Sequence, residues 1–187
     1  MNNNKANIGR TCLILTTLIW GSSFVILKSA LDSITPLWVL SIRFSGAAIL
    51  MLIACLPRLK KLDKRYVTGG CLMGLCLSAA YILQTYGLVY TTPGKNAFLT
   101  TTYCILVPFL YWVISGKRPD KYNIIAALVC LVGVGFVCLS NDLSVNIGDM
   151  LTILCGLFYG LHLIVTSRTA ENRDPVLITM LQFATAA

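Results

Sequence analysis

Residues 11–31 read TCLILTTLIWGSSFVILKSAL, twenty-one positions with a single charge, Lys28. A helix crossing roughly 30 Å of hydrocarbon needs about 20 mostly apolar residues, so this stretch has the length of a membrane span. It is too long for a cleavable signal peptide, and Lys28 stands where a small residue would precede a cut after Ala30. Five more runs follow it, at 36–56, 67–90, 96–115, 122–140 and 147–167, and a seventh begins near Pro175. Breakers separate them: Pro36, Pro57, Pro93-Gly94, Pro119 and Pro175. The runs are expected to be helices, because an open strand edge would leave amides unsatisfied in lipid. The fold class is therefore an all-α, polytopic membrane helix bundle.

Composition agrees. Of 187 residues, 57% are hydrophobic and 12% charged, with mean hydropathy +0.78, where a soluble domain carries about a quarter charged residues. The net charge of +8 calls for no nucleic acid, because the basic residues collect between the apolar runs. With a cytoplasmic N-terminus, one side holds Lys5, Arg10, Arg58, Lys60, Lys61, Lys64, Arg65, Lys117, Arg118, Lys121, Arg168 and Arg173. The opposite loops hold only Lys95. The positive-inside rule thus gives a multi-pass protein of the cell (cytoplasmic or inner) membrane with its N-terminus in the cytoplasm.

A shift of 139 residues lays the sixth run on the first. Ile14, Leu15, Leu18 and Gly21 meet Ile153, Leu154, Leu157 and Gly160; Pro36 meets Pro175, Phe44 meets Phe183, and Ala47-Ala48 meet Ala186-Ala187. A unit of five spans is odd, so its second copy enters the membrane inverted. Inverted repeats recur in secondary transporters, with the substrate site near the midplane. The expected organisation is a first five-helix repeat over 10–140 and the truncated start of a second over 147–187, a fragment of a ten-span chain.

Polar residues within the runs are the candidates for function. Arg43 lies about seven residues into the second run, with Gly46 and Ala47 one turn on. It is expected to face the bundle interior, as a contact for an anionic substrate group, as a gate, or as a structural partner of helix carbonyls. Lys28 is expected to snorkel to the outer interface, and His162 to pack through a hydrogen bond. Tyr81, Gln84 and Thr85 share one helical face, as do Asn96, Thr100 and Tyr103, with Pro108 expected to kink the helix. Such stripes suit a partly hydrated path or simple helix–helix adhesion. Gly70/Gly74 and Gly156/Gly160 suit close packing within the bundle.

Enzyme chemistry finds little support. The acids Asp32, Asp63, Asp120, Asp142, Asp149, Glu171 and Asp174 fall in loops or at span ends, and His162 is the lone histidine. The eight cysteines are scattered through apolar runs without a C-x-x-C pair. No catalytic residue, metal site or cofactor is expected. The expected partners are the lipid bilayer and a small-molecule substrate.

Several stretches together resemble EamA-type members of the drug/metabolite transporter superfamily. They are Trp20-Gly21-Ser22-Ser23-Phe24 with Lys28, Arg43-Phe44, and Gln84-Thr85-Tyr86-Gly87-Leu88-Val89-Tyr90-Thr91-Thr92. Asn96-Ala97-Phe98-Leu99-Thr100, Val107-Pro108, Gly133 and Gly135 complete the set. The resemblance covers about residues 10–187. It implies a ten-helix carrier of two inverted halves that moves metabolites or amino acids, usually outward, by alternating access at a midplane cavity. It also places Trp20, Ser23, Tyr81, Gln84, Thr100 and Tyr103 along the substrate path. A non-transporting membrane scaffold or a half-transporter fragment is the alternative, and a homodimer would be needed if the short chain acted alone.

Overall fold

A computed structural model describes residues 3–139, 146–171 and 173–187; the end of the fifth run at residue 140, and Asp142, lie outside them. Among the described residues every regular element is helical. In order they are α1 (Asn3–Leu31), α2 (Pro36–Cys55), a 3-10 stretch (Leu56–Lys61), α3 (Lys64–Tyr90), α4 (Pro93–Thr100), α5 (Tyr103–Ser115), α6 (Lys121–Leu139), α7 (Ile147–Ala170) and α8 (Pro175–Ala186).

The starts are written in local chemistry. Proline opens α2, α4 and α8, where its missing N–H costs nothing. Asp63 caps α3 by accepting from the Tyr66 amide at 2.8 Å, and Asp174 caps α8 through the Val176 amide at 3.0 Å. Asn146 and Asp149 form a reciprocal capping box at the head of α7. Gly116, at φ 71°, ends α5 in the left-handed conformation that glycine adopts without strain.

Among the described residues, five helical stretches are long and apolar enough to cross a membrane: Asn7–Leu31, Pro36–Lys61, Lys64–Tyr90, Pro93–Ser115 and Ile147–Ala170. Lys121–Phe136, in the fifth of six expected runs, is apolar but shorter. Large apolar side chains point outward, among them Val113 at 82% and Phe136 at 75% exposure. Water would not tolerate such a surface, whereas lipid does.

Helix α3 is the hub, packed most heavily by α7 and then by α8, while α8 also lies along α2. Glycines permit the approach. A Cβ on Gly87 would sit 2.5 Å from Thr152 Oγ1 and 2.9 Å from the Gly148 carbonyl, so α3 and α7 touch backbone to backbone there. Gly70 and Gly74 face Leu181 and Thr185 of α8. Gly156 faces Thr102, and Gly160 faces Leu110, so both glycine pairs serve packing within the bundle.

The fourth expected run is not one helix. It breaks at Thr101–Thr102, and α5 runs uninterrupted through Pro108. Three successive threonines stand at the break. The hydroxyls of Thr100, Thr101 and Thr102 donate to the carbonyls of Asn96, Phe98 and Leu99 at 2.8, 2.6 and 2.7 Å. Such back-bonding bends helices, and the Thr101 and Thr102 amides here turn to carbonyls three residues back.

Candidate functional site

Beside the break, α1, α2, α3, α5, α7 and α8 contribute aromatic rings and polar groups to one region. Tyr81 stands at its centre. Its ring meets Phe44 edge-on at 5.2 Å and Tyr159 at 5.6 Å, and the Arg43 guanidinium lies 5.3 Å above it. Tyr103 is 6.1 Å from Tyr159, and Phe183 is 6.2 Å from Phe44.

Under this layer sits a buried polar network. Gln84 Nε2 donates to Thr100 Oγ1 at 3.0 Å, and Gln84 Oε1 accepts from the Tyr159 hydroxyl at 3.4 Å. Asn96 Nδ2 donates to Thr152 Oγ1 at 2.8 Å and to the Gln84 carbonyl at 3.2 Å. All five side chains are buried. Buried polar groups are costly unless paired, so the network fixes the register of α3, α4 and α7. Among the described residues, Asn96 Oδ1 in the network and Thr85 Oγ1 beside it have no hydrogen-bond partner.

Two cavities open next to the aromatic layer. One, of about 170 Å³, is lined by Trp20, Gly21, Phe24, Thr100, Thr101 and Tyr103, among others. The second, of about 350 Å³, lies between α1 and α2 and is lined by Ser22, Ser23 and Arg43 with apolar neighbours. The seven residues expected on the substrate path therefore divide. Trp20, Ser23, Arg43 and Tyr103 border open space; Tyr81 is half-buried beneath Arg43; Gln84 and Thr100 belong to the network, although Thr100 also touches the smaller cavity.

The sequence reading missed the centrality of Tyr159. Its position one residue before Gly160, on the same stripe as His162, was the available signal. His162 pairs with Gln182 at 3.0 Å, a packing role as expected. Lys28, expected to reach for the outer interface, finds backbone partners. Its ammonium donates to the carbonyls of Leu88, Val89 and Thr91 at 2.7, 2.9 and 3.1 Å, closing the C-terminal end of α3. Asp149 lies at a span end, as expected, but it is not solvent-exposed there. It is buried at the head of α7, where Lys95 and Thr91 donate to it at 2.6 and 3.1 Å.

A bundle of apolar helices with an interrupted span, buried polar groups and cavities defines a polytopic membrane protein. Residues 7–139 match the model of the EamA-like transporter family, and the chain belongs to that family. It is 35% identical over 170 residues to an uncharacterized transporter of Archaeoglobus fulgidus, covering 91% of this chain and 52% of that one. It is 28% identical over 156 residues to the uncharacterized transporter YoaV of Bacillus subtilis, covering 80% and 53%. The chain thus spans about half the length of these curated relatives. No solved structure matches it.

Proposed function

We propose that the chain supplies the first repeat, residues 10–140, and the start of an inverted second, 147–187, of a secondary carrier. The carrier exports small metabolites or amino acids across the cytoplasmic membrane, with the N-terminus in the cytoplasm. The observation that carries this reading is the interruption at Thr101–Thr102 beside the cavity of Trp20 and Tyr103. Discontinuous helices at mid-membrane are where transporters place substrates, because only there does irregular backbone line a cavity instead of meeting lipid.

The repeat has separate support. Helix ends Leu31 and Ala170, and helix starts Pro36 and Pro175, differ by the same 139 positions as the sequence match. Phe44 and Phe183, equivalent under that shift, touch at 6.2 Å. Equivalent residues meet each other only near a symmetry axis. In alternating access, Trp20, Ser23, Arg43, Tyr81 and Tyr103 would contact substrate, and Gln84 and Thr100 would hold the helices that bear them.

The test is export from cells expressing the full-length gene, using a panel of amino acids and toxic analogues. Lower intracellular accumulation of at least one compound is expected; unchanged accumulation across the panel would sink the reading. Orientation is checked by fusing green fluorescent protein after Lys64, which should fluoresce, and after Asp142, which should stay dark. The reverse pattern would overturn the assigned polarity.

A further inference from the structure

Charged groups within the apolar helices need partners, because lipid offers none. Lys28 has three backbone carbonyls, and Lys95 and Asp149 have each other. Arg43 is different. It is the eighth residue of α2, and among the described residues no carboxylate, carbonyl or hydroxyl pairs with its guanidinium. Its guanidinium meets the Tyr81 ring at 5.3 Å, and the residue is otherwise exposed.

The second copy offers a comparison. The 139-residue shift carries Ser23 and Arg43 onto His162 and Gln182, and those two side chains hydrogen-bond to each other at 3.0 Å. Between α1 and α2 the same positions instead line the open cavity of about 350 Å³. One copy is paired internally, and the other, among the described residues, leaves space beside a cation without a counter-charge.

The lining limits what can fill it. Ser22 and Ser23 donate their hydroxyl protons to the carbonyls of Ile19 and Trp20, at 3.0 and 2.6 Å, which leaves Arg43 as the donor. Ile26, Leu27 and Val39 supply apolar walls. A single guanidinium balances one negative charge, and its planar fork matches the two oxygens of a carboxylate. We propose that Arg43 binds the carboxylate of an organic monoanion whose apolar body lies against Ile26, Leu27 and Val39. This inference deepens the carrier reading and rests on it.

The experiment compares phenylacetate with its methyl ester, which keeps the body and removes the charge, against the full-length protein in uncharged detergent. Binding is read by thermal shift. The acid should bind roughly 10- to 100-fold more tightly than the ester, the range expected for a charge-assisted hydrogen bond. Arg43→Gln should abolish that preference and Arg43→Lys should retain part of it. Equal responses to acid and ester, no response to the acid, or a preference surviving in Arg43→Gln would each overturn the proposal. The acid–ester comparison needs only the unmodified protein, so a misfolded variant does not remove the test. A second source of the same oxyanion, a lipid phosphate, is separated by nanodiscs. If phosphatidylglycerol abolishes the acid response that phosphatidylcholine permits, Arg43 belongs to lipid and the proposal falls. Flux in proteoliposomes with no carboxylate preference overturns this inference and leaves the carrier standing. Acid binding without flux of any compound does the opposite.

Discussion

The ammonium of Lys95 lies 2.6 Å from Asp149 Oδ2, and the Asp149 side chain is only 3% exposed. Thr91 donates to the other carboxylate oxygen, and Lys28 donates to the Thr91 carbonyl. One continuous set of bonds therefore ties together the neighbouring ends of α1, α3, α4 and α7.

Breaking this pair from one side should be costly. Asp149→Asn leaves a mostly buried ammonium without its counter-charge, and a loss on the order of 3–5 kcal/mol is expected. Thermal unfolding in detergent measures it. Lys95→Met combined with Asp149→Leu should lose clearly less than the two single changes added together.

Lys28→Met should unfasten the end of α3, because three carbonyls lose their donor together. A loss of about 1–3 kcal/mol is expected, with Lys28→Arg milder. Hydrogen exchange at Leu88–Thr91 should rise in the methionine variant; unchanged protection there would refute the cap.

The α3–α7 seam admits no side chain at Gly87. Gly87→Ala places a carbon against Thr152 Oγ1 and the Gly148 carbonyl, and about 1–3 kcal/mol should be lost as the helices separate. Gly133→Ala, with nothing within 4 Å, is the control and should be neutral or slightly stabilising in the same unfolding assay.

Asn96→Asp tests the buried network. It puts an oxygen where an amide now donates to Thr152 Oγ1 and the Gln84 carbonyl. Thr152 already gives its proton to the Gly148 carbonyl. Acceptor would face acceptor, so a melting temperature well below that of the unmodified protein is expected, corresponding to roughly 1–3 kcal/mol for each abandoned group.

Span positions were legible from hydropathy because lipid imposes one length rule on every crossing segment. Pro36 and Pro175 marked two helix starts in the sequence, whereas the capping roles of Asp63 and Asp174 emerged only from the structure. The site was harder to read. Helical periodicity put Gln84 and Thr100 on polar stripes, but a stripe cannot say whether its partner is water, substrate or another helix. That choice was decided by α7, whose Thr152 and Tyr159 are more than fifty residues distant in sequence. The break in the fourth run escaped notice for a related reason. Pro108 is the residue usually blamed for a bend, whereas consecutive threonines act only if their hydroxyls choose backbone carbonyls.

That choice has a mechanical consequence. A proline bend is permanent, since the imide has no N–H with which to rebuild a straight ladder. At Thr101 and Thr102 every amide proton is still present, and the hydroxyls only borrow carbonyls that a straight helix would reclaim. Straightening the joint would therefore leave no backbone donor stranded in the apolar layer, because each amide there could return to a carbonyl four residues back.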